Sequence, residues 1–175
     1  MDFHPQLKIL ISRDEIANAV DRLASEIKRD YQGKQPLLIG VLKGAFVFMA
    51  DLMRQLDLPL ELEFVRLSSY GAARESSGSV RVIQGLKTPI EGRDVLVIED
   101  IVDTGITISL LLDYLRNKNP ASLKLCVLTD KPSRRRVPVS IDYLGFTVPD
   151  KFVVGYGLDF AEKFRYLPEI CVIED

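Results

Sequence analysis

The amino-acid sequence predicts an α/β domain built on a largely parallel β-sheet. Three observations support this fold class: short, continuously apolar segments of strand length, helical patterns between them, and polar residues directly after several of the strands. Parallel strands covered on both faces are apolar without alternation, as these segments are. The chain has 175 residues, 47% of them hydrophobic, which is enough for one domain over residues 1–175 with a sizeable core.

The first predicted elements are a capped helix, a strand and a second helix. Ser12 followed three residues later by Glu15 forms a capping box, and apolar residues then recur at helical spacing to about Asp30. The apolar run Leu37–Leu42 predicts a strand buried on both faces. Residues 45–56 follow with the pattern of a helix.

The next segment predicts a hairpin-like excursion from the sheet. Residues 60–67 alternate in polarity and predict a strand, and residues 79–84 alternate again as a returning strand. Residues 68–78 between them are polar and rich in Gly and Ser. They predict a long loop or a distorted hairpin tip.

The second half of the chain alternates strands with a helix. Residues 94–98 form the most strand-like stretch, 106–116 have a helical apolar pattern, and 123–128 predict another buried strand. Residues 131–138 predict a basic loop, in which Arg134, Arg135 and Arg136 are interpreted as a solvated face or a subunit contact. Further short strands are predicted at 141–146, 152–154 and 170–173.

Composition excludes several classes of function. The 23 Lys and Arg against 25 Asp and Glu give a net charge of −2, which argues against a general nucleic-acid binder. No apolar run reaches the roughly 18 residues of a membrane helix, and no signal-peptide pattern is visible. Cys126 and Cys171 lie in apolar segments and are predicted to be buried thiols, which favours a cytoplasmic location. The only histidine is His4, so catalysis is expected to rest on carboxylates, lysines, backbone amides and a hard metal.

Polar residues at three predicted strand ends indicate a ligand site, because ligands of parallel α/β sheets bind beyond the carboxyl ends of the strands. These residues lie at 43–44, 99–107 and 130–131. Glu99 and Asp100 are expected to leave their strand with side chains on opposite sides. The following Asp-Thr-Gly turn into a helix favours a phosphate site. The adjacent carboxylates suit a phosphorylated sugar, whose hydroxyls they can bind, together with magnesium (Mg2+).

Residues 95–109, VLVIEDIVDTGITIS, resemble the signature of the type I phosphoribosyltransferases. The remaining motifs resemble the hypoxanthine-guanine (6-oxopurine) branch, over nearly the whole chain. The resemblance implies the type I phosphoribosyltransferase fold, a mainly parallel central sheet flanked by helices, with a small hood and a flexible lid hairpin. It also implies purine salvage: transfer of a phosphoribosyl group from 5-phosphoribosyl 1-diphosphate (PRPP) to hypoxanthine or guanine. The implied products are IMP or GMP and pyrophosphate, the implied cofactor is Mg2+, and the implied assembly is a homodimer or homotetramer.

The same resemblance implies roles for residues around PRPP. Asp103 is the implied catalytic base for the purine imidazole proton. Lys43 and Gly44 belong to a pyrophosphate loop in which the peptide before the lysine can be cis, and Arg165 reaches the pyrophosphate. Ser69 and Tyr70 belong to a lid. The implied cradle of the 5′-phosphate is Asp103, Thr104, Gly105, Ile106 and Thr107, and the implied ribose and metal residues are Glu99 and Asp100, with Asp159 supporting a second magnesium through water.

The purine half of this interpretation depends on later motifs. By the resemblance, Lys131 donates to the 6-oxo group, Phe152 stacks on the purine, and the backbone of Val153 meets the ring edge that carries N1 and the 2-substituent. A cationic donor at position 6 disfavours adenine, which would present another donor there. Two alternatives stay open from the residues: a xanthine-preferring enzyme, and a non-catalytic PRPP-sensing regulator.

Overall fold

A computed structural model describes residues 5–69 and 80–174, and its architecture over these ranges is the predicted α/β fold. Within them, no helix is both long and apolar enough to cross a membrane. The elements in chain order are β1 (Gln6–Ile11), α1 (Arg13–Asp30), β2 (Leu37–Leu42), α2 (Phe46–Leu56), β3 (Glu61–Ser69), β4 (Val80–Gln84), β5 (Asp94–Val102), α3 (Ile106–Arg116), β6 (Ser122–Asp130), a 3-10 helix (Pro132–Arg134), β7 (Tyr143–Thr147), β8 (Val153–Val154) and β9 (Ile170–Glu174).

The central sheet is mainly parallel, as predicted. Its strand order is β4-β3-β2-β5-β6-β7, and β3, β2, β5, β6 and β7 all run in one direction. At one edge, β4 pairs antiparallel with β3, with Ser69 opposite Val80, which confirms the predicted hairpin. Tyr70, part of the expected lid, lies outside the described residues. Because the parallel strands share one direction, the carboxyl ends of β2, β5 and β6 meet at the same edge of the sheet.

The central strands are apolar on both sides because helices cover both faces of the sheet. On β5, Leu96 and Ile98 join the core cluster that includes the buried faces of α1 and α2. Val95 and Val97 point the other way and join the cluster that includes α3. The capping box at Ser12 is present, with both of its hydrogen bonds.

A second, smaller sheet forms the expected hood. In it β9 pairs antiparallel with both β1 and β8, for example Leu7 with Ile173 and Val153 with Val172. The sequence did not predict β1, in which half of the residues are exposed. Cys126 and Cys171 are buried free thiols, as predicted.

The strands β5 and β6 run further than predicted, which matters for the site. β5 continues to Val102 and β6 to Asp130, so the acidic residues at these strand ends still belong to the strands. The parallel pairing of β5 with β6 includes these acidic residues, since Glu99 pairs with Val127 and Val102 pairs with Asp130. The expected loop after β6 also contains the short 3-10 helix. These extensions place charged side chains on the sheet itself, where their geometry is well defined.

Candidate active site

The ends of β2 and β5 touch at the carboxyl edge of the sheet. Gly44 directly follows the Leu42–Lys43 peptide, which is cis, and packs against the side chain of Asp100. Gly157, with a φ of +97°, packs in turn against the carbonyl of Gly44. The predicted convergence of the lysine-glycine turn and the acidic pair is therefore confirmed. The segment around Gly157 is thus a third part of this site, next to the Lys43-Gly44 turn and the acidic pair.

The acidic pair is arranged differently from the prediction. Glu99 turns back along the chain, so that its Oε1 accepts the backbone N–H of Asp100 at 2.9 Å. The two carboxyl groups also hydrogen-bond to each other, and Asp100 Oδ1 accepts the N–H of Ile101 at 2.7 Å. The expectation of side chains on opposite sides is wrong, because the longer glutamate chain can fold over to its neighbour.

This arrangement changes the protonation of the pair. Burial raises the pKa of Glu99 well above the usual glutamate value, and the charge of Asp100 adds to the effect. Burial also raises the pKa of Asp100, but the hydrogen bond from Glu99 and the charge of Arg165 oppose that rise. Two adjacent buried carboxylates do not ionise together without cost, and in this pair the cost falls mainly on Glu99.

The turn after β5 presents the start of α3. Gly105 has a φ of +84° and occupies the N-cap of α3, where the Oγ1 of Thr104 accepts the N–H of Ile106 at 3.4 Å. Gly105 itself has no side chain that could cap the helix. The positive end of the helix dipole is thus available to an anion, as the predicted phosphate cradle requires.

The arginine run after β6 supports this turn. The Nε of Arg135 donates to the carbonyl of Asp103 at 3.2 Å, and its Nη2 forms an ion pair with Asp130. The backbone N–H groups of Arg136 and Val137 both donate to the carbonyl of Thr104. The interpretation of this run as a solvated face is wrong for Arg135, whose side chain is only 19% exposed. The sequence pattern did not reveal these contacts, one of which joins Arg135 to a carbonyl 32 residues earlier in the chain.

Asp103 lies at the exposed side of the same turn. Its Oδ1 is 3.3 Å from the Nε of Arg134, without the geometry of a hydrogen bond. The Nη1 of Arg134 is 3.5 Å from Asp150, so one guanidinium lies between two carboxylates. The predicted base is therefore held next to a cation, and its side chain is 43% exposed although its Oδ1 is buried.

The predicted purine-binding residues lie together. Lys131 is 5% exposed, and its Nζ donates to the carbonyl of Lys151 at 2.8 Å. Phe152, the next residue, is 52% exposed and meets Phe160 edge-on, with ring centroids 5.3 Å apart. Val153 follows in β8 and is buried. A buried amine, an accessible aromatic face and a strand backbone thus converge, which suits a flat heterocycle with an acceptor at its edge.

Two cations lie on the other side of the site, each with carboxylate neighbours. Arg165 donates from Nη1 to the carbonyl of Gly157 at 2.7 Å, and its Nη2 is 3.1 Å from Asp159 Oδ1. Lys43 donates from Nζ to Glu162 Oε2 at 2.8 Å, which lowers the pKa of Glu162. Glu162 was missed by the sequence, since 119 residues separate it from Lys43.

The expected metal ligands are Glu99, Asp100 and Asp159. Within the described part of the chain, no three His, Cys, Asp or Glu side chains form an all-protein metal site. Their carboxylate oxygens nevertheless fit Mg2+, which is usually held by one or two carboxylates, waters and substrate phosphates. The acidic pair therefore suits a metal that arrives with a phosphorylated ligand.

Comparison with known proteins agrees with this geometry. A family model described as the phosphoribosyl transferase domain matches residues 11–161. The hypoxanthine-guanine phosphoribosyltransferase of Bacillus subtilis is 50% identical over 171 residues, 98% of this chain and 95% of the relative. That of Aquifex aeolicus is 46% identical, covering 97% and 96%. A crystal structure of a Bacillus anthracis hypoxanthine-guanine phosphoribosyltransferase superimposes with a TM-score of 0.93 at 42% identity, covering 98% of this chain and all of that one.

Proposed function

The chain belongs to the phosphoribosyl transferase domain family, and we propose on that premise that it is a purine-salvage hypoxanthine (guanine) phosphoribosyltransferase. The enzyme transfers the 5-phosphoribosyl group of PRPP to N9 of hypoxanthine or guanine. The products are IMP or GMP and pyrophosphate. Relatives with this activity in their names, at 46–50% identity over nearly the whole chain, support the assignment.

One observation carries the proposal. The start of α3, which suits a phosphate, and the group formed by Lys131 and Phe152, which suits a purine, lie at the same edge of the sheet. The backbone of the 103–105 turn bonds to residues 135–137, which follow Lys131 within a few residues. Lys131 is in turn bonded to the residue before Phe152. A ligand that carries both a ribose 5-phosphate and a purine would span these two parts.

The residues divide the reaction between them. Lys131 and Phe152 orient the purine so that N9 faces C1′ of the ribose, which makes the step nearly unimolecular. Asp103 removes a proton from the imidazole ring of the purine. Lys43 and Arg165 stabilise the negative charge that develops on the departing pyrophosphate. The amides and hydroxyls of residues 103–107 hold the 5′-phosphate meanwhile.

Magnesium is part of the proposal. Glu99 and Asp100 would hold it together with the ribose hydroxyls, and Asp159 would support a second ion through water. When bound, Mg2+ neutralises the diphosphate and makes it a better leaving group. A cation bound at the acidic pair would oppose the rise in the pKa of Glu99 that burial and the charge of Asp100 cause.

A homodimer or homotetramer, located in the cytoplasm, completes the proposal. Phe46 and Tyr166 are exposed large side chains that line a cavity of about 650 Å³ between α1, α2 and residues 165–168. Exposed aromatic side chains of this kind are frequent at subunit interfaces. The two unpaired thiols suit a reducing compartment. Analytical ultracentrifugation of the purified protein measures the assembly directly.

The test is a steady-state comparison of hypoxanthine, guanine, xanthine and adenine with PRPP and magnesium. Nucleotide formation from hypoxanthine or guanine, with little from adenine, is the expected result. A preference for xanthine would support the xanthine-specific alternative. PRPP binding without conversion of any base would support the regulator instead. An enzyme that uses all four bases equally would contradict the role given to Lys131.

A further inference from the structure

The two cations assigned to pyrophosphate share a carboxylate. Oε2 of Glu162 lies 2.8 Å from Nζ of Lys43, and its Oε1 lies 3.5 Å from Nη2 of Arg165. The same Nη2 of Arg165 is 3.1 Å from Asp159. Both cations therefore already have carboxylate partners within the chain, at the place where a diphosphate has to bind.

The backbone around Glu162 is held in an unusual conformation. Ala161, Glu162 and Phe164 all have φ between 49° and 75°, the left-handed region that residues other than glycine rarely adopt. Such conformations persist only where the surroundings enforce them. Here Asp159 Oδ2 accepts the N–H of Glu162 at 2.8 Å, and Phe160 and Lys163 exchange backbone hydrogen bonds. These hydrogen bonds hold the loop in the conformation that places the Glu162 carboxylate next to Lys43.

We propose that Glu162 is a competing anion that occupies Lys43 and Arg165 between turnovers and weakens the binding of PRPP and pyrophosphate. This inference rests on the proposed function, which assigns the two cations to the diphosphate. Glu162 has to leave both cations, or share them, whenever a diphosphate binds. PRPP and pyrophosphate therefore gain less binding free energy than they would from two unpaired cations. As a result, pyrophosphate leaves more readily after the reaction.

The exposure of the ion pair sets the size of the effect. The side chains of Lys43 and Glu162 are 47% and 64% exposed, so water and salt weaken their attraction. A diphosphate carries more charge than one carboxylate and can displace it. Neutralising Glu162 is therefore expected to tighten pyrophosphate binding by about two- to fivefold. The difference should shrink as salt screens the charges.

The experiment compares wild type, Glu162→Gln and the matched control Glu91→Gln. The control removes the same charge from an exposed residue of another loop. Isothermal titration with magnesium pyrophosphate, at ~10 mM and ~200 mM salt, gives the dissociation constants. Glu162→Gln should bind more tightly at low salt, with a smaller gain at high salt, while Glu91→Gln should match wild type. The KM for PRPP should fall in parallel, and the KM for hypoxanthine should not change.

Weaker or unchanged pyrophosphate binding in Glu162→Gln would overturn the inference, since weaker binding would mean that Glu162 orients Lys43 for the ligand. A changed KM for hypoxanthine would also count against it, because disorder of the loop would reach Phe152 through Phe160. A wild-type protein that binds pyrophosphate but forms no nucleotide would reject the proposed function instead. The two failures are therefore distinguishable.

Discussion

Gly44 lies so close to Asp100 that the structure has no room for a side chain there. A Cβ placed on Gly44 would lie 1.7 Å from Oδ2 of Asp100, far inside van der Waals contact. The glycine thus lets the turn after β2 reach the acidic pair on β5. This contact joins the residues assigned to pyrophosphate with those assigned to ribose and metal.

Replacing Gly44 with alanine is expected to displace Asp100 or the Lys43 turn, because the new methyl group would overlap the carboxylate. A displacement of about 1 Å at a reacting centre can lower kcat/KM by about 100-fold. Steady-state kinetics with PRPP and hypoxanthine measures the loss. Gly85→Ala is the control, since its Cβ would meet its nearest neighbour at an ordinary 3.4 Å. Equal activity of the two variants would contradict the importance of the contact.

The parts of this site differ in how far the sequence predicts them. The apolar run of β5 and the Asp-Thr-Gly turn are local patterns, and α3 begins and ends at the predicted residues. The contacts of Arg135 with the Asp103 carbonyl, of Lys131 with Lys151 and of Glu162 with Lys43 are set by tertiary packing, because they join residues that are 20 to 119 positions apart. The side chain of Glu99 bends toward Asp100 because it is buried there. The alternating directions of side chains along a strand do not predict such a bend.

Asp103→Asn tests the proposed base. Asparagine keeps the shape of the side chain but cannot accept the imidazole proton, so turnover is expected to fall by at least about 100-fold. PRPP binding should survive, because the backbone of the phosphate cradle is unchanged. Asp150→Asn is a matched control that removes another carboxylate near Arg134. Full turnover in Asp103→Asn would reject the assignment.

Lys131→Ala tests recognition of the 6-oxo group. Loss of the buried amine should raise the KM for hypoxanthine by about tenfold or more, and the KM for PRPP much less. Lys151→Ala is the control, because only the backbone carbonyl of Lys151 takes part in the contact. An unchanged KM for hypoxanthine would remove Lys131 from purine recognition.

Arg135→Ala should weaken both the fold and PRPP binding. It removes the partner of Asp130, whose side chain is only 12% exposed, and the donor to the Asp103 carbonyl. Loss of such a pair is expected to cost about 2–3 kcal/mol of stability, and the looser turn should raise the KM for PRPP. Urea unfolding and kinetics measure the two effects. Arg136→Ala should change neither stability nor the KM for PRPP. The side chain of Arg136 is exposed, and its contact with Thr104 is made by its backbone N–H, which the substitution keeps.

Glu99→Gln is expected to stabilise the ligand-free protein while lowering its activity. The pKa of Glu99 is raised on folding by burial and by the charge of Asp100. A carboxyl with a raised pKa favours the folded state fully below its unfolded pKa, near 4.3, and this contribution is lost as pH rises through the folded value. Glutamine carries no charge at any of these pH values, and its amide can still donate to Asp100 as the protonated carboxyl does.

The melting temperatures of wild type and Glu99→Gln should therefore be similar near pH 4.5 and diverge as the pH rises, with the variant the more stable. Thermal unfolding across this range measures the divergence, and Glu91→Gln corrects for the general loss of one charge. Parallel curves at all pH values would mean that Glu99 ionises in the folded protein as it does in the unfolded one. The activity should fall despite the gain in stability, because the amide cannot hold a metal ion as a carboxylate does.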